Sequence, residues 1–121
     1  MTKLGKQRIL VMEQQAAVAR IICRYLTGAG YLVEETNDCD VLPRIKGDSR
    51  YDLVLASLGS LEPSPLDTVE QITKAGIPLL LMTGGAEQEV IAKAVSLGAY
   101  GPLPKPFDPN VLIAMVRDIL S

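Results

Sequence analysis

Five polar residues stand where short apolar segments of the chain end, and these are the positions at which chemistry is expected. They are Glu13, Gln14, Ser57, Thr83 and Lys105. A carboxylate and an ammonium group in one pocket can form an ion pair, and the amide and hydroxyls can complete a hydrogen-bonded site. A serine hydroxyl needs a general base to become a nucleophile, and the chain contains no histidine. The residue types therefore favour a binding or structural site over a catalytic one.

Five apolar runs rich in Val, Ile and Leu are typical of buried strands. They cover residues 9–12, 32–33, 53–56, 78–82 and, more weakly, 101–104. Apolar residues at spacings of three and four over residues 18–26 predict a helix that ends before Gly28. Further helices are predicted over residues 86–97, from residue 109 to the C-terminus and, more weakly, over residues 40–46 and 65–75.

The regular alternation of strands and helices predicts an α/β fold in one domain over residues 1–121. Parallel neighbours need crossover connections, so the expected architecture is a five-stranded, doubly wound parallel sheet with helices on both faces. In such a sheet ligands collect beyond the carboxyl ends of the strands. The five polar residues listed first end the predicted strands, and we expect them to share one edge of the sheet.

Composition excludes several classes of function. The net charge of −2 gives no basic excess for a phosphate backbone, so no nucleic-acid binding is expected from this domain alone. The apolar runs are far shorter than the ~20 residues that span a bilayer, and the first residues lack a signal peptide's apolar region, which predicts a cytoplasmic protein without membrane contact. Cys23 and Cys39 have no CxxC spacing, so neither a disulfide nor a zinc site is expected.

The order of these segments resembles the receiver (CheY-like) domain of two-component response regulators. The similar segments are residues 8–13, 29–31, 51–57, 79–83, 98–99 and 103–107. The resemblance covers nearly the whole chain. It implies the flavodoxin-like fold with five βα units and the strand order 2-1-3-4-5.

In that family an acidic pair and an aspartate hold Mg²⁺, and the aspartate accepts a phosphoryl group from a histidine kinase. The matching positions here are Glu13, Gln14 and Ser57, so one carboxylate remains of three. Mg²⁺ requires oxygen ligands in near-octahedral geometry and shields the charge of phosphoryl transfer. The resemblance therefore implies a degenerate receiver, or pseudo-receiver, with weak or no Mg²⁺ binding, no other cofactor and no enzymatic activity.

Two further family positions are kept. Thr83 matches the hydroxyl residue that engages the phosphoryl group, and Lys105 matches the family's lysine. Lys105 is expected to pair with Glu13, which would fix the pocket in one state. Simpler interpretations stay open for each residue. Glu13 could be solvated, Ser57 could be a small loop hydroxyl, and Thr83 could serve only the turn before the next helix.

A partner-binding face is expected from the last part of the chain. The C-terminal helix carries more apolar residues than one inward stripe needs. In receivers the face made by the fourth helix, the fifth strand and the fifth helix binds dimer partners and downstream proteins. The resemblance and the apolar surplus together predict contacts with signalling proteins, or with a second copy of the chain, through Val90, Tyr100, Val111, Ile113 and Met115.

Two other classes of function compete with this one. A phospho-competent atypical receiver would have to recruit a carboxylate such as Glu62 or Asp67 as its acceptor. A small-ligand binder of flavodoxin type would need a first loop rich in Ser, Thr and Gly to bind phosphate. Residues 13–17 do not form such a loop, so this second alternative is disfavoured.

Overall fold

Five parallel strands form one sheet in the computed structural model, which describes residues 6–36, 51–85 and 87–121. The strands are β1 (Arg8–Met12), β2 (Leu32–Thr36), β3 (Leu53–Ser57), β4 (Leu79–Thr83) and β5 (Tyr100–Pro104). Their order is β2-β1-β3-β4-β5, and every neighbouring pair is parallel. The α/β class and the strand order expected from the sequence are confirmed.

Within the described ranges, α1 (Ala16–Gly28) connects β1 to β2, α2 (Pro65–Lys74) connects β3 to β4, and α3 (Gln88–Ser96) connects β4 to β5, as parallel pairing requires. A short 3-10 helix (Leu58–Leu61) follows β3, and α4 (Pro109–Leu120) follows β5. The helix expected over 86–97 begins only at Gln88, and Ala86 itself lies outside the described residues. The helix predicted over 40–46 also lies outside them, as does Cys39.

The core is divided by the sheet into two apolar layers. Alternate side chains of a strand point to opposite faces, and successive residues of β1, β3 and β4 accordingly enter opposite clusters. Leu10, Val54 and Leu79 pack on one face, whereas Ile9 and Leu53 pack on the other. Every residue of β3 and β4 is buried, which explains why their sequences are apolar up to the polar residue that ends each strand.

The edge strand β2 is longer than its sequence suggests. The predicted run ended at residue 33, but β1 pairs with β2 as far as Thr36. The added residues Glu34 and Glu35 are acidic, and such residues are uncommon in strands. Glu34 is held by the phenolic hydroxyl of Tyr51 and by Arg8 at 3.5 Å. Pairing and these contacts therefore extend a strand that local preference alone would end.

The other edge strand, β5, is irregular because of Gly101. Its register with β4 shifts between Leu80 and Met82. Gly101 has a φ of +107°, and a Cβ at this position would lie 2.8 Å from the carbonyl oxygen of Leu81. Only glycine fits this close approach without strain. The bend aligns the last residues of β5 with the end of β4, where Lys105 follows.

Candidate functional site

A shallow cavity of about 170 Å³ lies at the carboxyl edge of the sheet. The five residues predicted from the sequence all line it, and the full lining consists of Glu13, Gln14, Gln15, Ser57, Leu58, Gly59, Met82, Thr83, Gly84, Glu87 and Lys105. They meet because the ends of β1, β3 and β4 are adjacent in the sheet and Lys105 directly follows β5. We call this cavity the strand-end pocket.

An ion pair lies at the base of the strand-end pocket. Lys105 Nζ donates to Glu13 Oε2 at 2.5 Å, and the other carboxylate oxygen of Glu13 accepts from the backbone N–H of Gln15 at 3.2 Å. Glu13 is only 3% exposed, so these partners take the place of water around its carboxylate oxygens. The backbone N–H of Lys105 donates to the Thr83 carbonyl at 2.8 Å, and the Lys105–Pro106 peptide is cis. The contact expected between Lys105 and Glu13 is thus present.

Ser57 and Gln14 are both engaged within the chain. The hydroxyls of Ser57 and Ser60 are 2.9 Å apart, and both residues are buried. The side-chain amide of Gln14 donates to the carbonyl of Gly59 at 3.0 Å. The 3-10 helix after β3 supplies both partners, because it returns the chain toward the ends of β3 and β1. The partner Ser60 was not identified from the sequence, since a serine in a loop gives no signal of its own.

Thr83 contacts a carboxylate that sequence reasoning missed. Its hydroxyl donates to Glu87 Oε2 at 3.1 Å and accepts from the backbone N–H of Gly85 at 3.0 Å. The turn through Gly85 has a φ of +99°, which suits glycine. Thr83 therefore serves the turn before the helix, an interpretation that the sequence left open, and it also contacts the side chain of Glu87. The available signal was the position of Glu87, four residues after Thr83 and directly before α3.

The carboxylates proposed for an alternative acceptor do not enter the strand-end pocket. Glu62 follows the 3-10 helix and Asp67 lies in the first turn of α2; both are exposed, and neither lines the cavity. In the described part of the chain, no cluster of three or more His, Cys, Asp or Glu residues is arranged to hold a metal.

Cys23 is a thiol outside this pocket. Its Sγ donates to a carboxylate oxygen of Glu35 at 3.4 Å. Burial, together with the hydrogen bond and the negative charge of Glu35, raises the pKa of Cys23 to about 11. The thiolate is the reactive form of cysteine, and the raised pKa disfavours this form at neutral pH.

The residues predicted for a partner face differ in exposure. Tyr100 is 49% exposed and Val111 is 48% exposed. Ile113 is half-buried, whereas Val90 and Met115 pack against the two core clusters. Val95 and Leu97, at the end of α3, are exposed apolar residues that the sequence analysis did not select. We use the term partner face for the exposed apolar surface of α3, β5 and α4.

The chain belongs to the response regulator receiver domain family. The family's sequence profile matches residues 9–117, and the pocket described above lies within that range. The domain is therefore a receiver domain of two-component signalling. In the described ranges, no helix has both the length and the apolarity that crossing a bilayer requires.

Curated relatives are similar to the chain over nearly its whole length. The DNA-binding transcriptional regulator NtrC of Rhizobium meliloti is 33% identical over 115 residues, which cover 93% of this chain and 24% of the relative. The transcriptional regulatory protein ResD of Bacillus subtilis is 24% identical over 121 residues, which cover 99% of this chain and 50% of the relative. The chain thus spans between a quarter and a half of the length of these relatives.

Solved receiver structures share the fold. A CheY-like response regulator receiver domain from Methanospirillum hungatei superimposes with a TM-score of 0.86 at 23% identity, covering 96% of this chain and 94% of that one. The chemotaxis response regulator CheY4 of Vibrio cholerae gives a TM-score of 0.80 at 22% identity, covering 96% of this chain and all of the other. At this identity the likeness concerns the fold alone.

Proposed function

We propose that this receiver domain does not accept a phosphoryl group and acts in the cytoplasm as a protein-binding module in two-component signalling. The observation that carries the proposal is the residue at the end of β3. Ser57 stands there, its hydroxyl is buried, and it is hydrogen-bonded to Ser60. A serine cannot form an acyl phosphate, and no imidazole is available to activate the hydroxyl.

The other polar groups of the strand-end pocket support the same conclusion, because they are satisfied within the chain. Lys105 is paired with Glu13, Gln14 with Gly59 and Thr83 with Glu87. Glu13 and Thr83 are buried, whereas Gln14 and Glu87 are exposed. Polar groups that already have partners lose those contacts when a ligand binds, so binding requires equivalent contacts in return. These internal contacts therefore favour the ligand-free arrangement of the strand-end pocket.

The donor set also does not suit Mg²⁺. Glu13 is the only carboxylate at the matching positions, and its Oε2 lies 2.5 Å from an ammonium group that repels a cation. Gln14 offers one neutral amide oxygen, and its amide nitrogen is already bound to Gly59. Mg²⁺ takes oxygen ligands in near-octahedral geometry and is usually held by carboxylates together with phosphate. We therefore expect weak or no Mg²⁺ binding and assign no step to this ion.

The partner face supports a role in binding. Tyr100 and Val111 are about half exposed, and Val95 and Leu97 are exposed as well. Leu97 and Tyr100 line one cavity, and exposed apolar groups that form a patch mark contact surfaces in soluble proteins. Relatives such as NtrC and ResD are regulators of transcription by name, and we propose that this domain binds a signalling protein or a second copy of itself.

Intact-mass spectrometry after incubation with acetyl phosphate and Mg²⁺ tests the proposal. The wild-type protein is expected to show no stable gain of about 80 Da, the mass of one phosphoryl group. A variant with Gln14→Asp and Ser57→Asp restores the missing carboxylates beside Thr83 and Lys105, and serves as the comparison. Labelling of the wild-type chain to the level of a phosphorylated receiver from another protein would overturn the proposal.

A phosphorylatable atypical receiver is the second candidate, and one observation favours it. Glu87 brings a carboxylate into the strand-end pocket, where Glu62 and Asp67 do not reach. If the wild-type chain were labelled, a Glu87→Gln variant would show whether Glu87 or another residue carries the phosphoryl group. Loss of the label in this variant would identify Glu87 as the acceptor.

A further inference from the structure

The contact between Thr83 and Glu87 joins two elements of the fold. Thr83 is the last residue of β4, and Glu87 directly precedes α3. The threonine hydroxyl donates to the Glu87 carboxylate at 3.1 Å and accepts from Gly85 N–H at 3.0 Å. One side chain therefore links the end of a central strand, the turn after it and the start of the next helix.

Both ends of this contact are held by backbone hydrogen bonds. The carbonyl of Thr83 accepts from the N–H of Lys105 at 2.8 Å, which fixes the end of β4 against the chain that follows β5. The carbonyl of Glu87 accepts from the N–H of Ile91 at 2.9 Å, which fixes Glu87 to the first turn of α3. Thr83 is 6% exposed whereas Glu87 is exposed, so the bond joins a buried hydroxyl to a charged acceptor at the surface, and a charged acceptor makes a hydrogen bond stronger than a neutral one.

The Glu87 carboxylate does not serve the helix in the usual way. An acidic residue before a helix commonly accepts from the free N–H groups of the first turn. Glu87 makes no such side-chain bond, and Glu89 already supplies an acidic group within the first turn. The side chain of Glu87 is instead hydrogen-bonded to Thr83. The effect of this bond can therefore be distinguished from the stabilisation that any negative charge gives to a helix N-terminus.

We infer that the hydrogen bond between Thr83 and Glu87 is an internal latch that holds α3 in one position against β4 with no anion bound. The inference rests on the proposed function, because the Thr83 hydroxyl can remain bonded to Glu87 only in a domain where no phosphoryl group competes for it. Since α3 contains Val95 and Leu97 directly follows it, the latch also fixes one part of the partner face. That face then keeps the same conformation whether or not the pathway is active.

Amide hydrogen exchange measured by NMR tests the latch, with the N–H groups of Gly85 and Ile91 as probes. Glu87→Ala is expected to speed exchange at both amides on the order of tenfold, as loss of one hydrogen bond to a charged group predicts. Glu87→Gln keeps an oxygen acceptor of the same length and should restore most of the protection. The matched control is Glu89→Ala, which removes a nearby charge from the same helix and is expected to leave both probes unchanged.

A double-mutant cycle with Thr83→Val completes the test. The cycle is measured at the Ile91 amide, because Thr83→Val removes the acceptor of the Gly85 amide itself. If the latch exists, Glu87→Ala adds little further exchange at Ile91 once the threonine hydroxyl is gone. Equal effects of Glu87→Ala and Glu89→Ala, or additive effects of Thr83→Val and Glu87→Ala, would overturn the inference. These outcomes are independent of the mass measurement with acetyl phosphate, so failure of the latch and failure of the proposed function can be told apart.

Discussion

At the scale of single residues, the strand-end pocket depends on one buried charge and its partner. Glu13 is almost fully buried, and its cationic partner Lys105 is 25% exposed. Removing one member of a buried pair leaves an unpaired charge, which is more destabilising than removing both. The pair therefore contributes to stability chiefly because each charge keeps the other from being buried without a partner.

Lys105→Met is expected to lower the free energy of unfolding by about 2 kcal/mol, because it leaves the Glu13 carboxylate without its cation. The double variant Glu13→Gln, Lys105→Met should recover most of that loss, and urea unfolding measures both. Lys74→Met is the control, since it breaks an exposed pair with Glu70 at 2.7 Å and should change stability little. A loss in the double variant equal to that in Lys105→Met would contradict this account.

The members of the pocket could be predicted because the topology places strand ends together. Glu13, Ser57 and Thr83 end or directly follow strands whose order was expected, so their meeting followed from the fold. Ser60 and Glu87 could not be found in this way. They reach the pocket through the local path of a 3-10 helix and of a turn, which strand and helix periodicity does not determine.

At the scale of elements, continuous apolar sequence made β3 and β4 predictable, while the edge strands needed tertiary contacts to be located. β2 continues through two glutamates because β1 pairs with it. β5 contains glycine and two prolines, which are depleted in strands, yet it pairs with β4 through a register shift. Gly101 makes that shift feasible by allowing the close approach to Leu81.

Gly101→Ala is expected to lower the free energy of unfolding by about 2 kcal/mol or more, since the added methyl group meets the Leu81 carbonyl in a backbone conformation that L residues avoid. Gly28→Ala provides a matched control. Gly28 ends α1, and a Cβ there has no neighbour within 4 Å, so that variant should be neutral or slightly stabilising. Thermal unfolding of both variants checks the difference, and equal midpoints would count against the proposed role of Gly101.

At the scale of the whole molecule, the exposed apolar residues differ in part from those that the sequence indicated for partner contacts. Apolar surplus in α4 correctly placed Val111 in solvent, but Met115 is packed against the core. The helical period distinguishes inner from outer positions and does not show how far a neighbouring element covers the flanks. A variant at Met115 would therefore disturb packing together with binding, and Tyr100 and Val111 are better positions for a test.

The double variant Tyr100→Ser, Val111→Lys is expected to lose binding of the partner that the wild-type domain captures, without loss of stability, because both side chains project from the partner face. Leu32→Lys is a control of equal exposure, at 49%, on the opposite edge of the sheet. Affinity capture, with sedimentation velocity for self-association, compares the three proteins. Loss of binding in the control and its retention in the double variant would place the contact surface elsewhere.

The irregular β5 has one more consequence, for the way in which copies of this chain can associate. An exposed, regular strand edge invites another chain to add its own backbone, which is a common route to aggregates. Pro102 offers no amide hydrogen, and the register shift beside Gly101 interrupts the spacing of the remaining donors and acceptors. This border of the sheet is thus a poor template for strand addition, so we expect any contact between copies at this edge to be made by side chains.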